Sequence, residues 1–142
     1  MKNLDMKNLI KKIAELKEDV VFVGGVSAVY HKIKEETADI DIVVLNLDGL
    51  ESFGPFNQFR LPPEISITRH RARTLVDKKI WLDIIIDEKL PEHVEVDGVK
   101  YETIESMIRF YEDYLPRINE HVGAKYQKIL NLMKEKTNKT TL

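Results

Sequence analysis

The chain has 142 residues, with 22 Lys plus Arg against 24 Asp plus Glu, and no cysteine. That length predicts one domain, able to bury a core without staples, while the missing thiols exclude disulfides, thiolate zinc sites, iron–sulfur clusters and a cysteine nucleophile. A formal charge of -2 argues against a protein that is basic all over and coats nucleic acid, and no stretch approaches the roughly 18 apolar residues of a membrane helix, so a soluble, cytoplasmic protein is expected.

Met6, Leu9, Ile10, Ile13 and Leu16 recur at helical spacing and predict an amphipathic helix over 3–18. Val20 to Val23 is a β-branched run ended by Gly24-Gly25 and reads as a buried strand. Val26 to Lys34 can form a second helix, and Ala38 to Leu47 reads as a strand. Asp48 to Pro63 contains two glycines and three prolines and reads as a loop. Three further strands are expected at Glu64 to Thr68, Ala72 to Asp77 and Ile80 to Ile86. Asp97-Gly98, between Val94-Glu95-Val96 and Val99-Lys100-Tyr101, signals a hairpin. Ile104, Met107, Ile108, Tyr111 and Leu115 mark a helix capped by Thr103 and ended by Pro116. Val122, Tyr126, Ile129, Leu130 and Met133 mark a last helix, after which the polar tail from Lys134 is expected to fray. This order predicts an α+β fold, a mixed β-sheet flanked by helices.

The chemistry concentrates in two stretches, Phe22 to Ala28 and Thr37 to Val44. Alternation along a strand points Asp39 and Asp41 the same way, and Ile40, Ile42 and Val44 into a core. Two carboxylates at one end of a buried strand repel and lose hydration, which calls for a counter-ion. A hard divalent cation such as Mg²⁺ (or Mn²⁺) suits them, since it takes one or two carboxylates plus substrate phosphates. Gly24 and Gly25 lie where a strand turns into a helix and let a ligand approach the backbone, as a phosphate would. Ser27 could add a hydroxyl. A third carboxylate comes from Asp83, enclosed in an apolar run, in preference to Asp87 at the strand's end.

Val23-Gly24-Gly25 followed by Asp39-Ile40-Asp41 resembles the minimal nucleotidyltransferase fold of the polymerase-beta type. Gly24-Gly25 through Ala28, His31 and Thr37 to Asp41 look like small prokaryotic members of toxin–antitoxin and abortive-infection systems. The likeness is carried by residues 20–87 and continues more loosely through the hairpin and helices of 93–134, all in one domain spanning 1–142. It implies a nucleoside monophosphate moved from an NTP to a hydroxyl acceptor such as RNA, a protein or a small molecule. Asp39 and Asp41 would hold divalent metal on the triphosphate. Asp83 would join an acceptor-side metal and help deprotonate the acceptor. Gly24, Gly25 and Ser27 would position phosphates. Many relatives carry a hydroxyl directly after the glycines, where this chain has Val26. A different class of function is a fold-retaining, non-catalytic binder, an antitoxin-like subunit.

Arg69, Arg71 and Arg73 alternate and would share one face of a strand, either binding phosphate or RNA or charging a solvated edge. His31, His70, His93 and His121 are scattered and read as structural or surface residues. Lys125 and Lys128 read as a solvated helix face. Trp81 and Tyr101 read as core, because along the chain the aromatics do not interleave with arginine.

Overall fold

The computed structural model describes residues 4–60, 69–117 and 120–141. The strand expected at Glu64 to Thr68 lies outside the described residues. Chain order is α1 (Leu4–Leu16), β1 (Val20–Val23), α2 (Gly24–Tyr30), β2 (Ile40–Val44), β3 (Asn57–Arg60), β4 (His70–Val76), β5 (Ile80–Ile86), β6 (His93–Val96), β7 (Val99–Glu102), α3 (Ile104–Tyr114) and α4 (Glu120–Thr141), with short 3-10 turns at Glu51–Phe53 and Leu115–Arg117. The fold is α+β, as expected. Among the described residues no helix is long and apolar enough to cross a membrane.

The seven strands form one mixed sheet in the order β3-β4-β5-β2-β1-β7-β6. β2 runs parallel to β5 and β1 parallel to β7, while the other neighbours are antiparallel. Two tight turns close its hairpins. Asp97 and Gly98 have φ of 51° and 79°, and Asp77 and Lys78 have φ of 51° and 59°. Left-handed backbone at both central residues matches the twist of paired strands.

Alternation decides what each face buries. Ile40, Ile42 and Val44 of β2, Leu82 and Ile84 of β5 and Phe22 of β1 pack against Met6, Leu9, Ile10 and Ile13 of α1. This is the main core. Leu16, at the end of α1, is exposed and does not join it. A second cluster joins Met107 and Tyr111 of α3, Ile129, Leu130 and Met133 of α4, and Ala28 of α2. The opposite sheet face buries the small cluster of Val21, Val23 and Val43, with Ile85 and Leu90 half-buried against it.

Several expectations are corrected. β3 forms inside the segment read as a loop, from four exposed residues with no apolar pattern. Pairing with β4 supplies its backbone partners. β4 is therefore an inner strand, not the charged edge that its arginines suggested. α2 starts at Gly24 rather than after the glycines, and ends at Tyr30. The last helix continues past Lys134 to Thr141. Thr103 caps α3 as predicted, its hydroxyl accepting from the Ser106 N–H at 3.1 Å.

Candidate active site

Strand pairing sets the geometry. Val23 pairs with Asp41, Asp41 with Asp83, Asp83 with Arg73 and Arg73 with Asn57. Residues paired across neighbouring strands point to the same side. A polar row thus crosses the middle of the sheet, on the face away from α1. Asp39, two residues before Asp41, lies on the same side. A cleft of about 620 Å³ opens here between the sheet and the α3–α4 pair. Gly24, Gly25, Thr37, Asp39, Asp41 and Asp83 line its sheet side.

The glycines are explained by close approach. Gly24 has φ of 56°, and a Cβ there would lie 3.1 Å from Asp41 Cγ and closer still to its Oδ2. A Cβ at Gly25 would lie 2.8 Å from Thr37 Cβ and clash with its hydroxyl. Both carboxylate and hydroxyl therefore press on bare backbone, and the Gly25 N–H hydrogen-bonds to Asp41. Thr37 in turn donates to the Asp39 carbonyl at 3.1 Å.

Asp41 is the strained charge. Its carboxyl is pushed up from 3.8 to about 6, first by burial and then by the charge of Asp83, with Asp39 adding a smaller push and Arg71 opposing it. Asp83 is buried, with 7% of its surface exposed. Its Oδ1 lies 3.5 Å from Arg71 Nη2 and 3.0 Å from Arg73 Nε. The latter contact is an ion pair without hydrogen-bond alignment, and neither arginine Nε makes a hydrogen bond. Asp87 belongs elsewhere. It pairs with Arg69 Nε at 2.8 Å at the strand's end and does not line the cleft.

Among the described residues no group of three His, Cys, Asp or Glu side chains is drawn together to hold a metal. The donor chemistry fits a divalent cation at two carboxylates, Asp39 and Asp41, whose mutual repulsion such an ion would relieve. Asp83, the third carboxylate expected there, is paired with two guanidinium groups.

Ser27 is a correction. It is fully buried, its hydroxyl lying 2.8 Å from the Glu102 carbonyl and 3.2 Å from Met107 Sδ, and it does not line the cleft. Its job is to tie α2 to β7 and α3. His31 has a similar part, with Nε2 2.7 Å from the Glu102 carbonyl, as the structural reading expected. Lys125 lines the cleft and Lys128 does not.

The sequence reading missed the opposite wall. Phe110, Tyr111 and Tyr114 of α3 and Tyr126 of α4 line the cleft, with Met107 and Ile129 beneath. Phe110 and Tyr114 stack at 5.3 Å, and Tyr114 meets Tyr126 edge-on at 6.0 Å. Burial, with smaller contributions from Tyr126, Glu102 and Asp41, pushes the Tyr111 hydroxyl far above its ordinary value. Glu102 is a further acid of the cleft. Burial raises its carboxyl, while a hydrogen bond from Ser106 Oγ at 2.6 Å and the charge of Arg69 oppose the rise. Tyr111, Tyr126 and Ile129 sit at helical core positions, so periodicity marks them as packing, while Phe110 and Tyr114 stand outside that pattern. Trp81, read as core, is 38% exposed on the cleft side of the sheet, 4.0 Å beneath the Arg73 guanidinium.

Compared with known proteins, the chain matches no family model, and no curated protein or solved structure is significantly similar to it.

Proposed function

We propose that this protein is a Mg²⁺-dependent nucleotidyltransferase. The observation that carries the reading is the register pairing of Asp41 with Asp83 on parallel strands, beside Gly24 and Gly25, at the floor of one cleft. In the reaction the acceptor hydroxyl oxygen bonds to the α-phosphorus, the bond to the bridging oxygen breaks, pyrophosphate leaves and the hydroxyl proton passes to a base. Such transfer needs positioning and charge neutralisation more than covalent help from the protein.

Asp39 and Asp41 would hold the cation, whose chemistry when bound is to neutralise triphosphate charge. Gly24 and Gly25 would meet the phosphates as Asp41, which packs on them, turns to the cation. The aromatic wall of Phe110, Tyr114 and Tyr126 offers a nucleobase π-faces across the cleft. Lys125, on the same wall, supplies a cation within the cleft. Asp83 stands next to Asp41 in the row, paired with Arg71 and Arg73, so it would meet an acceptor hydroxyl only when they are drawn away. The proposed phosphate set is Gly24 and Gly25, without Ser27.

Equilibrium dialysis with each labelled NTP, with Mg²⁺ and with EDTA, tests the reading. Metal-dependent binding is expected, at least ten-fold weaker in Asp39→Ala plus Asp41→Ala. No metal-dependent binding, or binding unchanged in that variant, would sink it.

One observation favours a second reading. With Asp83 neutralised by Arg71 and Arg73, the chain could be a non-catalytic, antitoxin-like binding partner. A stable co-purifying protein, with no label incorporated into RNA, protein or small molecules, would select it.

A further inference from the structure

The sheet face does not stop at the cleft. It continues outward over β4, β5 and β3, where no helix covers it among the described residues. Phe59 of β3 is 45% exposed, Leu75 of β4 41% and Trp81 of β5 38%. Leu75 and Trp81 are paired across β4 and β5 and so form one apolar patch. Arginines separate the rings. Phe59 pairs across the strands with Arg71, whose guanidinium lies 6.0 Å from its ring. Arg73, next along the same face, covers Trp81 at 4.0 Å. Aromatics and arginines that do not alternate along the chain therefore alternate across the sheet.

The two guanidinium groups are incompletely satisfied. Arg71 and Arg73 share one carboxylate, Asp83, and both Nε atoms lack a hydrogen bond. The two rings lie two strands and four residues apart, about 15 Å by standard strand spacing. That is room for a few nucleotides with guanidinium groups between the stacked bases. Arg71 also lines the cleft, so a chain bound here would run into the mouth beside Asp83.

We infer that this face, built from Phe59, Arg71, Arg73 and Trp81, binds single-stranded nucleic acid and presents its end to the cleft as the acceptor. The inference deepens the nucleotidyltransferase reading and rests on it for the word acceptor. Its physical basis is separate. Base–aromatic stacking is tolerant of sequence, and arginine adds both phosphate contact and cation–π attraction. A formal charge of -2 does not oppose it where rings supply much of the affinity and the two arginines stand beside them.

Trp81 is the only tryptophan of the chain, so its fluorescence reports stacking at this face alone. The full-length protein is titrated with a single-stranded 12-mer RNA in EDTA without NTP. Saturable quenching is expected. The logarithm of affinity should fall with that of salt at a slope of about -1.4, the value for two phosphate contacts on a single strand. In Phe59→Ala and Trp81→Leu, followed by anisotropy of labelled RNA, binding should weaken about ten-fold per ring. Metal-dependent NTP binding should persist in both, which also shows that they fold. The inference is overturned by absence of quenching at low salt, by equal quenching with heparin, or by a dimer that buries Trp81. If instead NTP binding fails while quenching and its variant losses remain, the nucleotidyltransferase reading falls and the nucleic-acid site stands.

Discussion

Asp41 sets a conflict between stability and charge. Its folded value near 6 stands above an ordinary 3.8, so the folded state resists ionisation. Below about pH 3.8 both folded and unfolded chains hold the proton and the cost is absent. It grows as pH rises toward 6 and is fully present above that. Asp41→Asn in metal-free buffer is therefore expected to raise stability by about 3 kcal/mol at pH 8 and by almost nothing at pH 3.5. Urea unfolding at the two pH values checks this. Equal effects at both would mean that the carboxylate is not strained. Gly24→Ala should act in the opposite direction. A left-handed backbone costs a residue with a Cβ about 1–2 kcal/mol, and the new methyl would also displace the Asp41 carboxylate. Thermal unfolding and metal binding should both suffer.

At the scale of elements, legibility followed burial. β5 could be read to the residue because Ile80, Leu82 and Ile84 alternate into the core. β2 was legible for the same reason, and with it the placement of Asp39 and Asp41. β3 could not be read. Asn57-Gln58-Phe59-Arg60 buries no side chain, and its strand state comes from backbone pairing with β4. The cleft's helical wall escaped for a different reason. Tyr111 and Ile129 serve the α3–α4 packing and the cleft together, and helical periodicity cannot separate the two uses. The cap at Thr103 links these helices to the sheet, since its N–H donates to the Glu92 carbonyl at 3.0 Å while its hydroxyl starts α3. Thr103→Ala should cost about 1 kcal/mol, measured by urea unfolding. Because α3 carries Phe110 and Tyr114, NTP affinity should fall with it, whereas RNA affinity at Trp81 should not.

For the whole molecule, the main point is that the two sheet faces do different work. One is sealed by α1 and carries the stability, so Ile42→Ala there should cost about 2–5 kcal/mol. The other carries the polar row, the cleft and the exposed rings. A ligand held only by the folded second face should stabilise the entire chain. Mg²⁺ with NTP at a hundred times its dissociation constant would add about 2.7 kcal/mol, seen as a raised melting temperature. Asp39→Ala plus Asp41→Ala should show no such rise. The alternating arginines were visible in the sequence, but their partner was not. Arg71 and Arg73 reach Asp83 because β4 folds back on β5 through the turn at Asp77 and Lys78, which lacks the glycine or asparagine that marks such a turn.

The contact between Gly25 and Thr37 constrains how such a chain could change over generations. A side chain added at position 25 would come within 2.8 Å of Thr37 Cβ, so the chain at Thr37 would have to shift to admit it. Mutations at the two sites are thus coupled. A shift at 37 would disturb the hydroxyl that holds the Asp39 carbonyl, so a change at residue 25 would be felt at the carboxylates of the cleft.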